Sequence, residues 1–175
     1  MPDLASIFEE NAAAAAAEVW RCACTPIAVR LAVEQIVELE RGIVLCETEF
    51  LPPQIMDGLR GLACVLPKPT DQQLIKADVG VTEAFAGVAS SGSVCISLGR
   101  PLVGASSLLM PVHIVLLQME RIVARPRDLF DPECLNGTAS WRNLVFITGP
   151  SATADMGLLV YGAHGPRNLH ILLLE

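Results

Sequence analysis

Two uninterrupted apolar runs constrain the fold of this chain most: HIVLLQM at positions 113–119 and HILLLE at 170–175. Each has the length of a buried strand and falls far short of the roughly 20 apolar residues that cross a bilayer. Strands that are apolar throughout are typical of sheets covered on both faces. The two runs therefore predict a sheet enclosed within an α/β fold.

The first 41 residues predict two helices. Residues 3–20 are expected to be helical, because Asp3 can cap them and the alanine run at 12–17 has the highest helix propensity. Thr25 and Pro26 fit the N-cap and first position of a second helix that ends at about Arg41. Its apolar residues form a wide face that we expect to be buried: Ile27, Val29, Leu31, Val33, Ile36, Val37 and Leu39.

Further along, strands and helices alternate. GIVLCE (42–47), a helix from Pro53 to about Leu59 and LACVLP (62–67) predict a strand–helix–strand unit and thus a parallel sheet. Later runs predict strands joined by a tight SSG turn at 90–92, a short helix or irregular link at 125–135, and strands at LVFIT (144–148) and the final run. We expect one α/β domain over residues 1–175, with an N-terminal helix in residues 1–22 that is either part of it or a loosely packed extension.

Charge and composition exclude several classes of function. The chain has 175 residues, 52% of them hydrophobic, and a formal charge of −7, with its basic residues scattered. That balance disfavours binding to nucleic acid or to acidic membrane surfaces, because both require a dense positive field on the protein. The acidic start differs from a secretory signal, and no apolar stretch is long enough to span a bilayer, so we expect a cytoplasmic protein.

The six cysteines do not have the spacing of a metal site. Cys22 and Cys24 form a C-x-C pair, and no C-x-x-C pair is present for zinc or an iron–sulfur cluster. We expect six reduced thiols and no metal. The chain also lacks G-x-G-x-x-G and Walker motifs, so no recognisable motif in it binds a cofactor.

Polar turns between the apolar runs are the candidate site. TGPSATAD (148–155) offers Gly149, Ser151 and Thr153, whose hydroxyls and neighbouring amides can bind an anion or carbonyl, or can merely satisfy the turn itself. GAHGPRN (162–168) places His164 beside Gly165 and Arg167, a pair suited to a carboxylate or phosphate, and the alternative is an ordinary reverse turn. Ligands in open α/β sheets sit where loops converge beyond the carboxyl ends of strands, so we expect the two loops to meet there, with Arg100.

The remaining histidines and the hydroxyls allow other arrangements. His113 and His170 lie within apolar runs and are expected to be hydrogen-bonded core residues. A triad of Ser151, His164 and Asp155 is conceivable, but the G-x-S-x-G elbow that such a triad uses is missing.

Four stretches in this order resemble the LUD-domain family, which includes lactate utilisation protein C: DVGVTEAFAGVASSGSV, SSLLMPVHIVLL, ITGPSATADM and GAHGPRNLHILLLE. They cover most of residues 78–175. The resemblance implies a three-layer α/β/α fold with a mostly parallel central sheet, like that of the sugar-phosphate isomerase and CoA-transferase superfamily. It also implies work alongside iron–sulfur partner proteins that oxidise L-lactate to pyruvate.

The family motif falls on particular residues of this chain. It adds Thr82 and Gly92 to the ligand-binding candidates and marks His164 and Asp155 as candidate catalytic residues. Its other matching positions are Pro111, His113, Gly149, Pro150, Ser151, Thr153, Gly165, Pro166 and His170. The chain departs from the family at Ser90 and Gly157, where acidic residues are common, which puts any activity that needs those acids in doubt.

Three functions remain open at this point. The first is an accessory component of a lactate-utilisation redox system acting with iron–sulfur proteins. The second is a stand-alone enzyme or binding protein for a small anionic metabolite such as a phosphosugar, acyl-CoA or folate derivative, with His164 as acid/base or anion ligand and Ser151 and Thr153 as hydrogen-bond donors. The third is a non-catalytic scaffold, and a homo-oligomer is compatible with each.

Overall fold

The computed structural model describes residues 3–37, 42–131, 143–154, 157 and 159–175. The helices within these residues are α1 (Leu4–Ala14), α2 (Pro26–Ile36), α3 (Pro53–Arg60), α4 (Asp71–Lys76) and α5 (Val103–Leu108), with 3-10 turns at Met119–Arg121 and Pro126–Phe130. The strands are β1 (Glu18–Cys22), β2 (Ile43–Leu45), β3 (Val79–Glu83), β4 (Ala86–Val88), β5 (Ser93–Ser97), β6 (Val112–Gln118), β7 (Ile122–Val123), β8 (Leu144–Ile147), β9 (Ala152–Thr153), β10 (Val160–Tyr161) and β11 (Asn168–Leu174).

A five-stranded sheet with the order β1-β11-β6-β3-β2 forms the centre of the fold, and each of its pairings is parallel. The two apolar runs are β6 and β11, and they lie side by side in the middle. Their side chains are buried on both faces of the sheet, which explains why these strands are apolar throughout. The predicted α/β class with a mostly parallel central sheet is confirmed.

The two faces of this sheet are covered differently. Helices α2 and α3 pack on one face, where their buried side chains meet Val79, Ile114 and Leu172. Helix α1 and a four-stranded sheet of order β7-β4-β5-β8 cover the other face, where Phe8 packs with Val115 and Ile171. The second covering layer is thus part helix and part sheet.

The prediction for the N-terminal segment is wrong beyond Ala14. Helix α1 ends there, Ala16 adopts a positive φ of 66°, and β1 pairs in parallel with β11 at the edge of the central sheet. Phe8 and Ala12 are fully buried, so α1 is not a loosely packed extension. Helix propensity was overridden by a pairing with a strand far along the chain, which no local pattern reveals.

Helix α2 begins as predicted and buries a narrower face. The Thr25 hydroxyl caps it by accepting from the Ala28 N–H at 3.3 Å, and Pro26 takes the first helical position. Val29 and Val33 are buried, but Ile27 and Leu31 are 74% and 54% exposed, so the predicted wide buried face is wrong. The predicted end at Arg41, and Leu39 with it, lie outside the described residues.

The segment LACVLP is not a strand. Only Val65 makes an isolated parallel bridge, to Ile43 at the outer edge of β2. Helix α4, which the sequence analysis did not predict, follows it, with a capping box in which Thr70 and Gln73 satisfy each other's backbone N–H groups. The covering helices between β2 and β3 are therefore two, α3 and α4.

The later strands form at the predicted positions in the chain, but one of them belongs to a different sheet. The SSG turn joins β4 and β5 in an antiparallel hairpin, and the Pro126–Phe130 turn matches the expected short link, whose remainder lies outside the described residues. LVFIT forms β8, but β8 belongs to the smaller sheet, beside β5, rather than to the central one. No helix among the described residues is long and apolar enough to cross a membrane.

Candidate functional site

The two polar loops meet, as the sequence predicts, and they do so through their backbones. The Ser151 N–H donates to the Pro166 carbonyl at 2.9 Å, and the Gly162 N–H donates to the Ser151 carbonyl at 2.8 Å. Side-chain space between the loops is small, since a Cβ on Gly165 would lie 3.1 Å from Ser151 Cβ. Together these contacts hold the loop after β8 against the loop before β11.

A cleft with a volume of about 300 Å³ lies between these loops, β8 and the last turn of α5. It also contacts His113 and Leu169, the second residues of β6 and β11, so it sits at the amino ends of the central strands. The loop before β11 thus lies at the amino ends of the central strands, not beyond their carboxyl ends as expected. The loop after β8 does follow the carboxyl end of a strand, but β8 belongs to the smaller, four-stranded sheet.

The cleft has apolar walls and a few polar groups. Its walls include Leu108, Val145, Phe146, Ile147 and Leu169. Its polar groups are the hydroxyls of Ser107, Thr148 and Ser151 and the imidazoles of His113 and His164. None of the described residues that line it is Asp, Glu, Lys or Arg. The cleft is therefore suited to a ligand with an apolar body and few hydrogen-bonding atoms.

Helix α5 reaches the cleft because β3 carries a glycine. A Cβ on Gly80 would collide with the backbone of Ser106, so only glycine lets α5 pack this closely on the sheet. Ser107 and Leu108, the last two residues of α5, then border the cleft.

His113 is the least exposed of the polar residues named above that line the cleft. Its side chain is 0% exposed, and its Nε2 lies 2.8 Å from the hydroxyl of Thr82 on the neighbouring strand β3. Its other nitrogen, Nδ1, has no hydrogen-bond partner among the residues that the structure describes. The prediction of a hydrogen-bonded core histidine is confirmed for Nε2, and the unpaired Nδ1 beside a cleft is the feature that sequence reasoning missed.

Burial also determines the charge of His113. Desolvation lowers the pKa of its imidazole to about 3, so the ring is neutral at physiological pH. A neutral imidazole offers one donor and one acceptor and no charge for an anion. His164, by contrast, is exposed at the tip of its loop.

Two of the glycines proposed as ligand-binding have a packing role. Gly92 and Gly149 both have positive φ, 63° and 69°, and a Cβ on either would collide with the end of α1, at Ala12 and Ala15 respectively. Because neither glycine has a side chain, the SSG turn and the loop after β8 can pack against the end of α1. Gly149 also borders the cleft, and Gly92 does not.

Two other candidate residues, Thr153 and Arg167, lie away from the cleft. Thr153 is in the β9–β10 hairpin, paired with Val160. Arg167 is exposed and borders a second cavity of about 350 Å³, together with Asn168 and His170. The expected His164–Arg167 pair therefore does not converge on one cavity.

Arg100 does not converge with the two loops either, and that expectation is wrong. Its guanidinium donates to the Thr48 carbonyl and to Glu49 Oε2, each at 3.0 Å. Glu83 completes this cluster, because its carboxylate accepts the backbone N–H groups of Glu49, Phe50 and Leu51. Burial raises the pKa of Glu83, and the three N–H donors and Arg121 oppose that shift. The cluster anchors the loop after β2.

The other sequence candidates lie as follows. Asp155 lies outside the described residues, so its place beside His164 and Ser151 stays a prediction. His170 is 7% exposed, with Nδ1 3.5 Å from Glu18 Oε2, and this nitrogen has no hydrogen-bond partner among the described residues. Ser90 and Gly157 are both exposed.

The cysteines and acids give no metal cluster within the described residues. No group of three or more His, Cys, Asp or Glu side chains there is placed to hold a metal ion. Cys22, Cys24, Cys46, Cys64 and Cys95 are free thiols, and burial raises the pKa of Cys46 and of Cys95 to about 11.

Comparison with known protein families finds a match over almost the whole chain. The sequence model of the LUD domain matches residues 5–174. The chain belongs to the LUD domain family. The match includes α1, β1 and both loops of the cleft, so it extends well beyond the four stretches that carried the resemblance.

Relatives of this LUD domain include proteins with an assigned role. It is 33% identical to lactate utilization protein C of Bacillus subtilis over 104 residues, 57% of this chain and 43% of that protein. It is 30% identical to lactate utilization protein C of Oceanobacillus iheyensis over 105 residues, 57% of this chain and 45% of that protein. An uncharacterized protein of Neisseria meningitidis is 35% identical over 98 residues, 55% of this chain and 42% of that protein. The chain spans less than half the length of these relatives.

A solved structure shows the fold directly. The crystal structure of a DUF162 family protein from Deinococcus radiodurans matches with a TM-score of 0.70 at 20% identity, over 100% of both chains. The finer likeness to sugar-phosphate isomerases and CoA-transferases stays a prediction.

Proposed function

We propose that this LUD domain is a component of a lactate-utilisation system and that the cleft between its two polar loops is its small-molecule site. The observation that carries the first part is the 30% and 33% identity to two lactate utilization proteins C. The cleft supports the second part, because loops held together by backbone hydrogen bonds enclose hydroxyls and imidazoles within apolar walls.

We propose further that the domain works with redox partner proteins that contain iron–sulfur clusters. The surface that we propose for this contact is on α2, where Ile27 and Leu31 are one helical turn apart and both are exposed. Exposed apolar pairs of this kind are candidate contacts for another protein surface. The α2 face is defined here as Ile27 and Leu31.

Two experiments in the native cell test this function. The first deletes the gene and measures growth on L-lactate as sole carbon source, with growth on glucose and complementation as controls. A defect on lactate that complementation repairs supports the proposal, and normal growth on lactate contradicts it.

The second experiment isolates the tagged protein from lactate-grown cells and assays iron and sulfide in the eluate. Co-purification of an iron–sulfur protein supports the partner, and a colourless, partner-free eluate contradicts it.

A second candidate function rests on a different cavity. Arg167, Asn168 and His170 line the cavity of about 350 Å³ at the amino ends of β3, β6 and β11, which suits a small anionic metabolite better than the uncharged cleft. Arg167→Ala should abolish binding of ribose 5-phosphate measured by calorimetry, and Arg125→Ala, in the turn after β7, should leave it unchanged. Equal binding by both variants would remove this candidate.

A further inference from the structure

We propose that the cleft binds an uncharged planar ring that carries a carbonyl group, with His113 as its hydrogen-bonding partner at the inner end. This inference rests on the small-molecule role proposed for the cleft and names the class of ligand. Three observations support it: the absence of charge among the described lining residues, the unpaired nitrogen of His113, and the accessible apolar side chains and volume of the cleft.

The lining decides the charge of the ligand. A phosphate or carboxylate buried here would lose its water and gain no opposing charge, since the described lining residues include no Lys or Arg. The cationic side chains that the sequence suggested for this site lie elsewhere: Arg100 pairs with Glu49, and Arg167 borders the other cavity. An uncharged ligand avoids that desolvation cost.

His113 decides the polar group of the ligand. Buried side-chain nitrogens are nearly always hydrogen-bonded, and within the described part of the chain Nδ1 of His113 has no partner. When the Thr82 hydroxyl donates to Nε2, the proton of the neutral ring resides on Nδ1, which then donates to an acceptor. A ring carbonyl is an uncharged acceptor of the right kind, and it would satisfy the group that the fold leaves unpaired.

The apolar side chains and the volume of the cleft indicate what kind of apolar body the ligand has. Phe146 and Leu108 both line the cleft and are 41% and 49% exposed, so the lining includes an accessible aromatic and an accessible aliphatic side chain. Planar rings stack on aromatic side chains in offset or edge-to-face geometry. A volume of about 300 Å³ is at the lower end for ligand cavities and fits a single fused ring system rather than a whole dinucleotide.

Carbonyl-bearing planar rings occur in quinones, in the isoalloxazine of flavins and in nicotinamide. The probes are therefore menadione, lumichrome and nicotinamide, each added to the purified full chain and followed by calorimetry. We expect at least one of them to bind, and L-lactate and ribose 5-phosphate not to displace it. The probe that binds identifies the source of the ring.

Variants test whether the ring binds in the cleft. Phe146→Ala should weaken binding at least tenfold, because it removes the aromatic wall, whereas Leu109→Ala is the matched control, 75% exposed beside the cleft and not part of its lining. Binding should also shift the ¹⁵N resonance of His113 Nδ1, a readout that a general change of stability would not produce. His113→Asn should retain more affinity than His113→Gln, because the Asn amide nitrogen occupies the place of Nδ1 and the Gln amide occupies that of Nε2.

The outcomes separate this inference from the proposed function. If no ring binds, or if a ring binds without a Phe146→Ala effect and without the Nδ1 shift, the inference is wrong. Displacement of a ring by ribose 5-phosphate would also overturn it and point to an anion site. Growth of the deletion strain on L-lactate tests the lactate role independently, so either proposal can fail while the other stands.

Discussion

Thr82 and His113 join two neighbouring strands of the central sheet on its buried face, with the Thr82 hydroxyl 2.8 Å from His113 Nε2. Gly80, directly opposite His113 in the register, leaves room for α5 above this pair. The pair thus lies beneath α5 and at the inner end of the cleft. Its neutrality at physiological pH follows from burial rather than from a charged neighbour.

The first prediction concerns stability against pH. His113 has a pKa of about 3 when folded and about 6.5 when unfolded. Between these values the unfolded chain takes up a proton that the folded chain refuses, so the free energy of unfolding should fall as pH drops from 6.5 towards 3. The slope from this group is up to about 1.4 kcal/mol per pH unit.

Urea unfolding at several pH values measures it, with His113→Gln as the control that lacks the titrating group. The difference in unfolding free energy between wild type and variant should increase with pH across this range. A difference that is constant with pH would show that His113 titrates normally in the folded protein.

The second prediction concerns the end of α1. Gly149→Ala should lower the free energy of unfolding by about 2–4 kcal/mol, because it adds a collision with the Ala15 carbonyl to the strain of a positive φ. Gly157→Ala is the matched control, since its φ of 79° is similar but a Cβ there meets no atom of the described residues within 4 Å. It should cost about 1 kcal/mol. Equal losses in thermal unfolding would mean that the contact with α1 is unimportant.

The third prediction concerns the loop anchored by Glu83. Glu83→Gln should destabilise the protein by about 2–3 kcal/mol, because the amide replaces one acceptor oxygen with a donor that faces backbone N–H groups. Limited proteolysis should then cut within residues 47–52. The control is Glu9→Gln, which weakens only the exposed ion pair with Arg21 and should cost less than about 1 kcal/mol. An unchanged digestion pattern in Glu83→Gln would contradict the anchoring role.

The fourth prediction concerns the α2 face. Leu31→Glu should reduce co-purification of the iron–sulfur partner at least tenfold while leaving the melting temperature nearly unchanged, because Leu31 is 54% exposed. Ile75→Glu is the control, 84% exposed on α4, and should retain the partner. If both variants retain it, the partner binds elsewhere on the domain.

Sequence reasoning succeeded where the signal is local. The continuous apolar runs identified β6 and β11, and the Thr25-Pro26 cap identified the start of α2, because burial on both faces and capping each act over a few residues. The loop motifs also predicted correctly that the turns at 149–151 and 164–166 meet.

It failed where a distant partner decides the outcome. β1 is a strand because β11 pairs with it, although the preceding alanines favour a helix. Arg100 is held by Glu49 on another loop, and the unpaired Nδ1 of His113 is visible only once Thr82 is placed beside Nε2. An apolar run with one histidine looks the same whether the imidazole is fully paired or half paired.

The position of β11 affects the order in which the chain can fold during synthesis. β11 lies between β1 and β6, yet β1 and β11 are roughly 150 residues apart in sequence. When β1 and β6 have left the ribosome, each still lacks the neighbour that will separate them, and both present an unpaired edge. The sheet closes only after residues 168–174 emerge, so the exposed edges of the nascent chain stay vulnerable to aggregation until this strand has left the ribosome.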